Sequence, residues 1–125
     1  VIYKGLEKKI EELIVAQNED FAYAKVVVPV VIGADASAGI EFEAPFDMIV
    51  TNVEAYCTTS VASATAKLRR GTTDISGAAV MAVANTITGT TVVNAQKALT
   101  KGETLNVITA SADDRGILYV TGYRV

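Results

Sequence analysis

The twelve residues MIVTNVEAYCTT, positions 48–59, set the class of this chain. Alternation puts Ile49, Val53, Ala55 and Cys57 on one face and Glu54, Tyr56 and Thr58 on the other. Successive side chains of a strand point to opposite sides, so the pattern is that of a long strand with one face in a core and one in water.

Working outward, the same signal recurs on both sides. KVVVPVVI (25–32) is rich in β-branched residues and is interrupted by Pro29, which cannot donate to a ladder and so belongs on an edge strand or at a bulge. AGIEFEA (38–44) alternates cleanly, with Ile40 and Phe42 toward a core and Glu41 and Glu43 toward water, and APFD (44–47) turns the chain into the long strand. Downstream, strands are expected at 63–70, 78–84, 86–93, 103–110 and 115–124. They are divided by turn signals at Gly71, Ser76-Gly77, Thr88-Gly89, Lys101-Gly102 and Asp113 to Gly116. The segments VASATAKLRR and GAAVMAVAN are alanine-rich enough to form helices, but Thr and Gly punctuate them at strand length. About eight short strands with no alternation of strand and helix predict a mainly β fold, an antiparallel β-sandwich or barrel.

The first 25 residues differ from the rest. Nine of them are charged, against 16 of the remaining 100, which places a boundary near residue 25 between an N-terminal arm (1–25) and a β-sandwich domain (26–125). Within the arm, Tyr3, Leu6, Ile10 and Leu13 fall at alternating three- and four-residue steps and Ile14 widens the stripe, while Glu7, Lys8, Lys9, Glu11 and Glu12 occupy the other faces. The spacing predicts an amphipathic α-helix over residues 3–18. Two heptads are too few for a stable isolated helix, so the stripe must be buried against something. It can fold back on its own sandwich or meet other chains; the narrow seam favours the second, and these five residues are the expected partner-binding set.

Composition limits the function. At 125 residues, half apolar and 20% charged, the chain holds one core and is too hydrophobic for disorder. No apolar run is long enough for a membrane span. A net charge of -3, with only Lys67, Arg69 and Arg70 clustered, speaks against nucleic acid, whose backbone needs a broad basic footprint. A single cysteine excludes an internal disulfide and fits synthesis in a cytoplasm, and the charged first residues are not expected to act as a signal peptide.

The chain contains no histidine, which removes Ser-His-Asp and Cys-His catalysis and imidazole metal sites. Cys57 lies on the apolar face of its strand and reads as a buried structural thiol. Glu41 and Glu43 share a strand face without an aromatic platform, since Trp is absent, and read as solvated charges rather than a hydrolytic pair. Asp113 and Asp114 carry oxygen ligands suited to calcium, but no spaced acidic motif surrounds them and a solvated turn is expected. The basic trio is expected to serve solubility or edge protection. No enzyme, cofactor or metal is therefore expected.

Four stretches carry a resemblance. APFDMIVTNVEAYCTT, the short pair around KLRRGTTDI, TITGTTVVNAQKALTKGETLNVITAS and the terminal GILYVTGYRV resemble the jelly-roll-like β-sandwich domains of tailed-bacteriophage virion proteins, the capsid decoration (cement) and head-fibre proteins. The shared features are the Pro45-Phe46 corner before a long strand, Lys101-Gly102-Glu103 before Leu105 and Val107, and Gly116 before Leu118 and Val120. The likeness covers roughly residues 40–125 and leaves the arm outside. It implies a non-enzymatic structural protein, commonly a homotrimer, made in the host cytoplasm and located on the capsid surface of the virion, where it grips the major capsid protein and stabilises the shell. A receptor- or carbohydrate-binding module of a phage fibre is the alternative.

Overall fold

The long strand and its C-terminal partner form the spine of the structure, a computed structural model that describes residues 25–59 and 61–125. Met48–Thr59 (β3) lies antiparallel to Arg115–Arg124 (β10), which in turn pairs with Lys25–Ile32 (β1). On its other side β3 pairs first with Ala98–Leu99 (β8) and then with Ile87–Thr90 (β7). These five strands form sheet A, in the order β1-β10-β3-β7, with β8 beside β7 on β3. Sheet B runs Ile40–Glu43 (β2), Thr104–Thr109 (β9), Thr65–Arg70 (β4), Thr73–Asp74 (β5), with Ala79–Val80 (β6) also on β4. All pairs are antiparallel, and a nested set runs through them: the first strand meets the last, β2 meets β9, β3 meets β7 and β8, and β4 meets β5 and β6, while the β3–β10 and β4–β9 pairs join successive layers of that set side by side.

The two sheets bury one core. Ile32, Met48, Val53 and Leu118 come from sheet A, Leu68, Leu105 and Val107 from sheet B, and Ile75 and Met81 from the connections. Each such side chain, fully removed from water, contributes about 1.5–3 kcal/mol before ordering costs. The mainly β class expected from sequence is met by two antiparallel sheets. Pro29 sits on edge strand β1, opposite Tyr119, where its missing N–H is tolerated. The expected helix over residues 3–18 lies outside the described residues; Lys25, assigned to the arm, is the first residue of β1.

One alternation departs from expectation. Ile49 was placed on the core face with Val53, Ala55 and Cys57, but Met48 and Val50 are the buried residues there and Ile49 is only half-buried. The cause is a bulge. Thr121 pairs with Asn52 and Gly122 with Val50, so Thr51 is an extra residue that flips the inward set of β3 from odd to even positions. A second bulge lies at Thr58, between the Gly116–Cys57 and Arg115–Thr59 pairs. The segment expected as a strand at 78–84 shortens to Ala79–Val80, because the amide of Met81 donates to Ala64 O and Asn85 turns at φ 61°. The two-residue strands β5 and β8 are too short to give a periodic signal.

At both bulges β10 supplies a glycine. A Cβ at Gly122 would stand 1.9 Å from Ile49 O and one at Gly116 would stand 2.0 Å from Tyr56 O, both backbone atoms that cannot move aside without breaking the ladder. Gly122→Ala is expected to destabilise the protein by about 2–4 kcal/mol, whereas Ala at the open Gly33 changes stability by less than about 1 kcal/mol. Urea unfolding of the two variants, with equal m-values, checks the difference.

Candidate functional site

Among the described residues, the thiol and the basic cluster are held by packing or pairing. Cys57 is fully buried, its Sγ donating to Met81 O at 3.1 Å and lying 3.2 Å from Thr59 O. Burial pushes its thiol pKa up, and the Asp114 carboxylate pushes in the same direction, so it is a poor nucleophile. Glu41 and Glu43 stand exposed on β2, as expected. Among the described residues no three cysteine or acidic side chains gather where they could hold a metal, and no helix is long and apolar enough to cross a membrane.

One expectation is corrected. Asp113 is exposed, but Asp114, expected in a solvated turn, is fully buried, and neither of its carboxylate oxygens has a hydrogen-bond partner among the described residues. Burial raises its pKa, and the nearby backbone of Ser111 and Thr65 opposes that only in part. The basic trio, expected to serve solubility or edge protection, stays partly exposed and also makes ion pairs within the fold. Asp74 Oδ1 takes Arg69 Nε at 2.8 Å and Asp74 Oδ2 takes Lys67 Nζ at 3.3 Å. Arg70 donates to both oxygens of Glu103 at 3.0 and 2.9 Å, to Gln96 Oε1 at 2.7 Å and to Ala98 O at 2.8 Å. It thereby ties sheet B to the segment that carries β8 of sheet A, and a bidentate pair with two further acceptors leaves its guanidinium little capacity for a ligand.

Two shallow depressions lie among the described residues. One, of 430 Å³, opens where the edge of β3 passes from β8 to β7, over the Thr51 bulge, and is lined by Thr51, Thr90, Thr91, Asn94, Lys97 and Tyr123 among others. The other, of 260 Å³, lies on sheet B against Lys67, Arg69 and Ile108.

The most distinctive surface is the outer face of sheet A. Strand register aligns Val31, Ile117, Tyr56 and Ile87 in one row across four strands. The next row is Pro29, Tyr119, Glu54 and Gly89, and the third is Val27, Thr121 and Asn52. Val31 is 64% exposed, Ile87 59% and Val27 50%. Glu54, the single charge within these rows, accepts a hydrogen bond from Asn52 Nδ2. The exposed apolar side chains of this face lie on its rim strands β1 and β7, while Ile117, Tyr119 and Tyr56 between them are half-buried and Thr121 is buried; exposed apolar positions grouped on one face mark an interaction site more often than scattered ones.

The sequence-expected partner residues Tyr3, Leu6, Ile10, Leu13 and Ile14 lie outside the described residues. Sequence reasoning missed Val27, Val31, Ile87 and Ile117. The available signal was KVVVPVVI itself: apolar residues at every position from 26 to 32 suit a strand covered on both faces. No protein-family model matches the chain, and no curated protein matches it as a relative.

Two buried or paired carboxylates give opposite pH effects. Hydrogen bonding to Arg70 holds Glu103 below its ordinary 4.5, so this pair adds stability above that value and loses it as pH falls through the lower folded pKa. Asp114 is raised above 3.8, so the fold keeps its proton more tightly and loses stability as pH rises from there through the folded pKa. Arg70→Ala should cost about 1–2 kcal/mol at neutral pH and less in acid. Asp114→Asn should be at least as stable as wild type at neutral pH and lose that advantage in acid. Denaturant midpoints measured at both pH values check the two signs.

Proposed function

We propose that this chain is a structural virion protein that binds the outer surface of an assembled phage head and stabilises the capsid. The carrying observation is the outer face of sheet A, with Val27, Val31 and Ile87 exposed on it, on a body whose basic cluster is ion-paired and whose thiol is buried. Lys67, Arg69 and Arg70 are paired within the fold, the thiol is buried, and exposed Val27, Val31 and Ile87 on sheet A suit protein contact. Nested pairing of first strand with last and second with ninth supports the jelly-roll reading, an architecture used by viral capsid and lectin domains. The resemblance of residues 40–125 to decoration and head-fibre proteins supplies the virion. The arm, through Tyr3, Leu6, Ile10, Leu13 and Ile14, is the expected helical contact with other chains, and the major capsid protein is the shell partner.

The second reading is a receptor- or carbohydrate-binding fibre module. It is favoured by the groove over the Thr51 bulge, where hydroxyls of Thr51, Thr90 and Thr91 stand with Asn94, Lys97 and Tyr123. Such a row of hydroxyl and amide groups beside one aromatic ring is chemistry suited to sugar hydroxyls.

Expanded, undecorated heads of the parent virus, mixed with the full chain and pelleted, distinguish the readings. Saturable binding and a higher shell rupture temperature are expected. Leu6, Ile10 and Leu13 replaced together by Asp should weaken binding by about a hundredfold or more, because charges enter a buried seam. Failure to bind heads, together with retention on host-cell glycans that Thr91→Val and Asn94→Ala abolish, would replace the first reading with the second.

A further inference from the structure

We propose that the groove over the Thr51 bulge binds an acidic saccharide unit, one that carries a single negative charge, with Lys97 taking the anionic group and Asn94 and Thr51 the neighbouring hydroxyls. The inference rests on the second reading above, that the groove suits sugar hydroxyls, and adds the charge of the ligand. It is compatible with the capsid reading, because the groove lies where β7 and β8 border β3, across two strands from the exposed valines of β1.

Free hydrogen-bonding capacity sets this groove apart from the depression on sheet B. There Lys67 and Arg69 both pair with Asp74, at 3.3 and 2.8 Å, and Thr72 O accepts from Arg69 as well. In the groove none of the lining residues is acidic, and the side chains of half-buried Lys97 and exposed Asn94 make no hydrogen bond or ion pair among the described residues. An ammonium among neutral groups gains more from an anion than one that already holds a carboxylate. One cation matches one negative charge. A doubly charged phosphate would keep half its charge unpaired there, whereas a sugar with one carboxylate or one sulfate would not.

The groove is also held in shape before any ligand arrives. Lys97 O accepts from Val50 N at 2.8 Å, and Arg70 fixes the residues on either side of Lys97, through Gln96 Oε1 at 2.7 Å and Ala98 O at 2.8 Å. On the other wall Thr91 O accepts from Gly77 N at 2.9 Å, and Val93 N donates to Ile75 O at 2.8 Å. Binding then orders little backbone, and the main loss of freedom is in the Lys97 and Asn94 side chains.

Size and shape select a sugar over a peptide. Val50 N is bonded to Lys97 O and Val53 pairs with Thr90, so only Thr51 and Asn52 of the β3 edge lie open between the flanking strands. Two residues are too few to recruit an extended chain by strand pairing. The volume of 430 Å³ suits a small ligand. Thr51 Oγ1 donates its proton to Thr121 O at 3.3 Å, which leaves the oxygen to accept from a hydroxyl, while the Asn94 amide both donates and accepts. A polyhydroxylated ring with one acidic group matches that set.

The test follows backbone amide NMR shifts of the full chain during titration with a disaccharide of glucuronate and N-acetylglucosamine, and with the same disaccharide after reduction of its carboxyl to an alcohol. A galactose monosulfate offers the same charge from the other source, and the tighter of the two acids names the group. The acidic sugar should shift Thr51, Asn94 and Lys97 saturably and bind about five- to tenfold more tightly than the reduced form, a margin that shrinks as salt rises. Lys97→Gln should abolish the margin and Lys97→Arg should keep it. Both variants retain the backbone carbonyl that Val50 holds, so their spectra away from the groove should match wild type. Equal binding of the acidic and reduced sugars would overturn this inference and leave the saccharide reading in place, whereas no binding by any of the sugars would remove both. Acetate that shifts the same amides with equal affinity, or a margin that survives Lys97→Gln, would also overturn it.

Discussion

The ladder between β3 and β10 is the constraint on which the rest of the molecule depends. It is the longest pairing in the structure, it lies at the centre of sheet A, and it joins the middle of the chain to its C-terminal end. Two bulges on β3 require a partner strand without side chains at two points, and Gly116 and Gly122 meet that requirement where any Cβ would collide with a carbonyl. The bulge at Thr51 redirects Met48 and Val50 into the core and turns Ile49 outward, and it leaves the edge of β3 open between β8 and β7. The core, the outer face and the shallow hydroxyl-lined groove all follow from that one mismatch in residue count.

The basic cluster has the opposite logic from that of a ligand-binding site. The Arg70 guanidinium, reaching from sheet B to Glu103, Gln96 and Ala98, links strands that the sheet hydrogen bonds leave separate. Asp74 holds Lys67 and Arg69 on their own hairpin. On sheet A, by contrast, Val27, Val31 and Ile87 stand exposed with Glu54 as the single charge in the aligned rows.

Much of the fold was legible in the sequence because most of its strands have one wet face. The alternation in AGIEFEA and the turn at Lys101-Gly102 appear where the pattern placed them, whereas the turn expected over Asp113 to Gly116 falls at Ser111 to Asp113, with Arg115 and Gly116 already in β10, and Thr88-Gly89, expected as a turn, lies inside β7. Period-two reasoning failed at Ile49, since a bulge changes phase without changing composition, and at 82–84, where an alanine-rich segment leaves the sheet. Asp114 was misread because a buried carboxylate and a solvated one are the same letter; only the fold packed over it distinguishes them. The candidate face was legible in principle from the unbroken apolar run in β1, but its extent across Ile117, Tyr56 and Ile87 depends on register, which no single strand contains.

The central claim is that the outer face of sheet A is covered by protein. Hydroxyl-radical footprinting of Tyr56 and Tyr119, which stand in the middle rows of that face, reads this directly. Labelling at both tyrosines should fall when the full chain is bound to expanded heads, while the exposed Val83, in the loop before β7, keeps its reactivity. Equal labelling of Tyr56 and Tyr119 with and without heads would contradict the account.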